Sequence, residues 1–363
     1  MSFHLSAIVL AAGHGTRMRS ELPKPLHVLC ERPMAAWVLE ALSASDVATI
    51  AVVIGHGGED VSKGLQAAVD MPLSFVEQQV QRGTGDAASV GLTGLPDDPT
   101  GMADVLVLPG DTPLLRPETI ADLVRRHREA DSVCTLLTAR LPDPTGYGRV
   151  VRDSDGGVER IVEHADATAD ERAIDEINTS IYCFRQGLLS PALRRITPDN
   201  AQGEFYLTDV IEVLRSTGHR VHAHVVDDHV ECNGVNDRAQ LAAAEVELQR
   251  RINVDAMKKG VAMPDPAHVS IGVDVQLGVD VTILPGTMLA GSTVVGDGAV
   301  VGPNTTLTNC AIGATARVEN SVGEHAEVGP GAHVGPYVVL EAGAQVGSQE
   351  RVTAFTVVPN GDG

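Results

Sequence analysis

Residues 5–10 read LSAIVL, a short apolar run rich in β-branched residues that suits a strand buried on both faces. Through about residue 130 the pattern then alternates between two periods. Helical spacing over 34–44, 59–69 and 87–92 is interleaved with the apolar runs 50–54, 73–76 and 105–108. That alternation predicts an α/β class domain, a Rossmann-like sandwich on a mostly parallel sheet. After Asp237 comes a charged, alanine-rich stretch with Leu241, Leu248 and Ile252 at helical spacing, ended by Gly260 and Pro264. Beyond it the period changes again. Ile271, Leu277, Ile283, Leu289, Val295, Val301 and Leu307 recur every six residues; the step slips at Ile312, Val318 and Val322 and resumes through Val328, Val334, Leu340, Val346 and Val352. Such a period buries one aliphatic per face of a stacked coil and predicts a hexapeptide β-helix of about five coils. The expected organisation is a first domain over 1–238, a connecting helix over 239–263 and a β-helix over 264–363.

Composition narrows the class. The chain of 363 residues has length for two cored domains. Its net charge of −21 argues against a nucleic-acid or acidic-membrane partner, so an anionic ligand has to be drawn in by local cations. Cys30, Cys134, Cys183, Cys232 and Cys310 form no C-x-x-C pair and are expected as reduced, mostly buried thiols of a cytoplasmic protein. The opening MSFHLSAIVL has no basic n-region, and its apolar run is too short for a signal or a membrane span. It reads as a first strand.

The candidate chemistry begins where that strand ends, in Leu10-Ala-Ala-Gly-His-Gly-Thr-Arg-Met18 followed by Pro23-Lys24-Pro25. Gly13 and Gly15 allow a sharp turn and a close backbone approach, several N–H groups can face an anion, and Arg17 and Lys24 add full charges. The implied ligand is a polyphosphate. The dinucleotide fingerprint would need a third glycine and a Walker A loop a Gly-Lys-Ser/Thr, so neither applies. A bare GxG is more often an ordinary turn. The longer string LAAGxGTRMxSxLPKxLH, however, resembles the sugar-nucleotide pyrophosphorylases and, within them, the N-acetylglucosamine-1-phosphate uridylyltransferase domain of the bifunctional GlmU family. The resemblance implies nucleotide contacts from Leu10, Ala11, Ala12, Gly13, Gly15, Thr16, Arg17 and Lys24.

Further segments extend it. Asp111 follows the apolar run 105–108 in Gly-Asp-Thr-Pro, where ligands of parallel sheets collect. By itself it could equally stabilise the turn or cap the helix near Pro117; the resemblance makes it a ligand of Mg²⁺, with Asn236 of Gly234-Val-Asn236 as the second, and groups it with Arg17 and Lys24 as catalytic. The run Gln78-Gln-Val-Gln-Arg-Gly-Thr-Gly-Asp-Ala87 resembles the family's uracil-reading loop and assigns Gln78, Gly83 and Thr84 to the base, with Gln81 second to Gln78. Thr84 or Asp86 would serve as helix N-cap. For the sugar the resemblance points to Gly148 in the DPTGYGR segment 143–149, to Glu163 and Asn178, and to Tyr206 and Thr208 in the run 200–209. Departures stand at His14, at Asp86, where histidine is usual, and at Pro109.

The expectation is therefore a Mg²⁺-dependent enzyme joining UTP to N-acetylglucosamine 1-phosphate with release of pyrophosphate. The same chemistry on another sugar 1-phosphate or nucleotide, and a non-catalytic sugar-nucleotide-binding paralogue, remain alternatives. The β-helix of relatives is left-handed and trimeric and carries an acetyltransferase site. Here the family's Arg-Pro-Gly is replaced by Glu341-Ala-Gly343, the following segment reads FTVVPNGDG, and the chain stops at Gly363 before the acyl-transfer histidine and coenzyme A contacts. A truncated β-helix without acetyltransferase activity is expected, in a cytoplasmic homotrimer.

Overall fold

The computed structural model describes residues 4–55, 57–98 and 100–360. Residues 1–3 of the opening segment and 361–363 of the closing one lie outside them. The chain forms two compact units, Met1–His27 with Pro33–Leu241, and Val28–Arg32 with Ala242–Gly363.

In the first unit β1 (Leu5–Ala11) is an inner strand of a sheet that also contains β4 (Val47–Ile54), β5 (Leu73–Glu77), β6 (Asp104–Pro109), β7 (Cys134–Arg140), β10 (Glu176–Arg185) and β11 (Val221–Val225); outside that sheet, the short β2 (Val28–Leu29), which falls in the second unit, pairs with β3 (Arg32–Pro33). The order is β11-β7-β10-β6-β1-β4-β5, with β8 (Arg149–Arg152) and β9 (Val158–Val162) attached through β10. The strands β5, β4, β1 and β6 run parallel, and β10 runs antiparallel to both β6 and β7.

Alternation along β1 sends Leu5, Ala7, Val9 and Ala11 into one core cluster and Ile8 into another. The first holds Leu39 of α1 (Met34–Glu40), Leu65 of α2 (Gly58–Ala68) and Leu123 of α4 (Pro117–Glu129). The second holds Ala88 of α3 (Thr84–Leu92) with Leu189 and Ile211 farther along. Helices thus cover both faces, which is why these strands read as unbroken apolar runs. Gly91 sets the spacing of α3, because a Cβ there would lie 2.4 Å from Ile8 Cγ2.

The second unit is a left-handed parallel β-helix. Its short strands stack into one six-stranded and two five-stranded parallel sheets, the three sides of a coil. Ile271, Ile283, Leu289, Val295, Val301 and Leu307 are each at most 3% exposed, as the hexad pattern requires. Two positions differ from the expectation: Leu277 is only partly buried, and Val322 has moved outward. Val322 is 53% exposed, and Gly323 takes the inward place between Leu307 and Leu340. The spacing has dropped by one residue there, and the two leucines fill the slot, with a Cβ on Gly323 only 3.1 Å from Leu307 Cδ2. Within this unit Glu31 accepts from the Gly291 N–H at 3.1 Å and Arg32 pairs with Asp274 at 3.0 Å.

Leu307, fully buried at the centre of this stack, should be its most sensitive point. Leu307→Ala is expected to cost about 3 kcal/mol in denaturant unfolding of the second unit, from lost transfer energy plus an unfilled cavity.

Candidate active site

The carboxyl ends of β1, β4, β5 and β6 share one edge of the sheet because these strands are parallel, and a cavity of about 510 Å³ opens there. That volume suits a small-molecule ligand. Leu10, Ala11, Ala12 and Gly13 wall it from the end of β1, Pro109 to Thr112 from the end of β6, and Gln78 and Gln81 from beyond β5.

Across the mouth, three segments distant in sequence meet at Lys24. Its ammonium pairs with Asp111 Oδ2 and donates 3.0 Å to Asn236 Oδ1, which also accepts from Arg17 at 2.9 Å. The Val235 N–H donates 2.8 Å to the Asp111 carbonyl and fixes the Asn236 loop against the Asp111 turn. A carboxylate and an amide oxygen therefore converge on one cationic nitrogen. Hard oxygen donors held around a positive charge also fit a divalent cation of the Mg²⁺ class.

Gly15 explains how Lys24 gets there. It has φ +59°, and a Cβ on it would lie 2.7 Å from Lys24 Cβ. Gly13, by contrast, has open space where its Cβ would be. Gly15, Thr16 and Arg17 were expected to touch nucleotide and do not line the cavity; Thr16 and Arg17 lie on an exposed 3₁₀ turn, 16–18, beside it.

The loop after β5 also differs in detail from its sequence reading. Neither Thr84 nor Asp86 caps α3; Gly83 holds that place without a side-chain bond. Gly83 has φ +111°, and a Cβ would lie 2.6 Å from the Phe205 carbonyl, so the packed loop 204–207 demands glycine here. Thr84 Oγ1 accepts from the Leu207 N–H at 3.0 Å. Gln78 is buried and donates to Asp86 at 2.8 Å, while Gln81 donates to the Ala12 carbonyl.

On the opposite wall the antiparallel run of β10 brings its first residues to the same edge. The pairing of β10 with β7 breaks register between Asn178 and Tyr182, where Ser180 takes φ 61°. A bulge re-aims side chains locally, and Asn178 Nδ2 donates 2.8 Å to the Tyr182 hydroxyl. Glu163 accepts from Thr208 at 3.1 Å, and its burial pushes the carboxyl above the usual range. The Tyr206 hydroxyl is buried on the cavity wall without a hydrogen-bond partner among the described residues. Gly148, expected at the sugar, does not line the cavity: it lies behind Glu163, where a Cβ would be 3.4 Å from Oε2, and its carbonyl accepts from the Asn178 N–H.

Tyr147, Thr179, Tyr182, Gln202 and Glu204 line the cavity without having been singled out in sequence. The Asn200 turn could have flagged the last two: Asn200 Oδ1 accepts from both their N–H groups at 3.2 Å. Cys232 is on the wall too, but burial pushes its thiol up to about 12, so it is protonated at neutral pH and is no nucleophile.

Residues 7–177 match the MobA-like NTP transferase domain. The bifunctional protein GlmU of Streptomyces coelicolor is 44% identical over 98% of this chain and 73% of its own length. That of Mycobacterium bovis is 44% identical over 98% and 72%, and that of Mycobacterium sp. strain KMS 45% over 98% and 71%. The chain belongs to the GlmU family. It is, with that family, a sugar-1-phosphate nucleotidyltransferase, and among its described residues no helix is long and apolar enough to cross a membrane.

Asp209, at the start of the helix Asp209–Ser216 beside Glu163, reports on the charge of this GlmU-family site. Burial, and then Glu212 and Asp166, raise its pKa from 3.8 to about 6. A carboxyl raised on folding contributes stability that is present below about pH 4 and is lost as pH rises through 6. Asp209→Asn should therefore raise the thermal midpoint at pH 7.5 and lose that advantage at pH 4, measured by scanning calorimetry at both.

Proposed function

We propose that this protein makes UDP-N-acetylglucosamine and pyrophosphate from UTP and N-acetylglucosamine 1-phosphate with Mg²⁺, acting in the cytoplasm and without acetyl transfer. The observation that carries the reading is the meeting of Lys24, Asp111 and Asn236 at the mouth of the cavity. The five buried free thiols are in keeping with the compartment.

The reaction needs little covalent help. An oxygen of the sugar phosphate, anionic at neutral pH, bonds to the α-phosphorus of UTP as the bond to the β-phosphate oxygen breaks and pyrophosphate leaves. No proton moves, so no side chain has to act as base. The work of the chain is positioning and charge. Lys24 and Arg17 offset the charge of the departing pyrophosphate, the loop that follows β1 supplies backbone N–H groups, and Gln78, Gly83 and Thr84 hold the base. Glu163, Asn178, Tyr206 and Thr208 hold the sugar, with the unpartnered Tyr206 hydroxyl free to bond it. Gly148 acts through Glu163 and Asn178. Mg²⁺, when bound by Asp111 and Asn236, supplies Lewis-acid charge to the phosphate oxygens.

Pyrophosphate release across a panel of sugar 1-phosphates should peak with N-acetylglucosamine 1-phosphate and vanish in Asp111→Ala. Lys24→Ala should lower kcat on the order of a hundredfold, more than it weakens UTP binding. A peak with another sugar would move the protein to that substrate, and UDP-sugar binding without turnover would favour a non-catalytic role. Thiol release from acetyl-coenzyme A with glucosamine 1-phosphate should be nil, since Glu341-Ala-Gly343 replaces the family's Arg-Pro-Gly.

We further propose a homotrimer formed through the β-helix. Met288, Val322, Val339 and Val357 lie along its six-stranded sheet, with Thr306 between the first two, and are 46–56% exposed, a largely apolar row of the kind that marks an interface. Light scattering is expected to give three times the chain mass, and Val339→Lys to reduce it.

A further inference from the structure

Gln78 follows directly on β5 and is 5% exposed. Its amide nitrogen donates 2.8 Å to Asp86 Oδ2 and 3.3 Å to the Gly83 carbonyl. Both neighbours can only accept. Turning the amide over would set its oxygen against two oxygens, so the orientation is dictated by chemistry. The carbonyl oxygen is then the polar atom that Gln78 presents to the cavity it lines. Asp86 is half-buried in the first turn of α3, whose N-cap is Gly83. A carboxylate suits a helix start, but an acceptor for a buried amide is a separate service, and Asp86 performs it.

We propose that Asp86 is a positioning residue that sets base choice. By holding the Gln78 nitrogen it leaves an acceptor alone facing the nucleobase. An acceptor favours a pyrimidine whose N3 carries a proton, as in uracil, and sets two lone pairs against each other when N3 is bare, as in cytosine. The inference rests on the assignment of this cavity to a pyrimidine nucleotide and goes one residue deeper than it.

Asp86→Asn separates this role from a structural one. It keeps the volume but offers an NH₂ beside its oxygen, so the Gln78 amide is no longer held to one orientation and its nitrogen can face the base in place of its oxygen. Asp86→Glu keeps an acceptor. Calorimetric titration of wild type and both variants with UTP and with CTP, alongside pyrophosphate release, tests it. The wild type should favour UTP, Asp86→Asn should lower the UTP-to-CTP affinity ratio about tenfold by weakening UTP while CTP holds or tightens, and Asp86→Glu should keep most of the ratio. An unchanged ratio in Asp86→Asn, equal weakening of both nucleotides, or a wild type that favours CTP would overturn it. The two levels fail separately. A shifted ratio without pyrophosphate release would remove the catalytic reading and leave this one, and release with an unshifted ratio would do the reverse.

Discussion

The contact on which the site depends is that of Lys24 with Asp111 and Asn236. It joins the loop after β1, the turn after β6 and the loop before the helix Arg238–Lys258, three segments with no local reason to meet. Charge complementarity supplies that reason. In a chain of net charge −21, a partly buried carboxylate needs a cation close by. A glycine with φ +59° makes room for the lysine stem. The same two oxygens that bind an ammonium suit a divalent cation, so one arrangement serves both the folded chain and the chemistry proposed for it.

Around that contact most polar side chains on the cavity wall are already engaged with the protein. Asn178 is tied to Tyr182, Thr208 to Glu163, Gln78 to Asp86 and Gln81 to Ala12. Side chains locked in this way lose little freedom when a ligand arrives, which is how a positioning enzyme keeps its substrates aligned. Tyr206 differs, with a buried hydroxyl that has no hydrogen-bond partner among the described residues. Set on the cavity wall, it is a polar group that a ligand hydroxyl can meet.

The β-helix follows a different rule. Each inward aliphatic packs on its counterpart one coil away, and the parallel ladder repeats with little need for long-range chemistry. Where the period shortens, small size substitutes for regular spacing, as at Gly323.

Hydrophobic period alone determined the two architectures, because burial on both faces of a parallel sheet and burial of one aliphatic per coil face leave direct marks in sequence. It misjudged Val322, since a one-residue slip exchanges inside for outside and the aliphatic and its neighbouring glycine cannot be ranked without the coil above and below. The motifs marked Lys24, Asp111, Asn236, Gln78, Glu163 and Asn178, and the fold brings all six to one cavity. Only the tertiary structure decided what each glycine is for: Gly15 accommodates Lys24, Gly83 accommodates Phe205, and Gly148 stands behind Glu163. Tyr147, Tyr182 and Glu204, the turning of Gln78 by Asp86 and the grouping of Val28–Arg32 with residues beyond Ala242 were likewise set by contacts between distant segments. Periodicity records which side of an element is buried, whereas the partner that a side chain meets depends on segments whose approach no local pattern encodes.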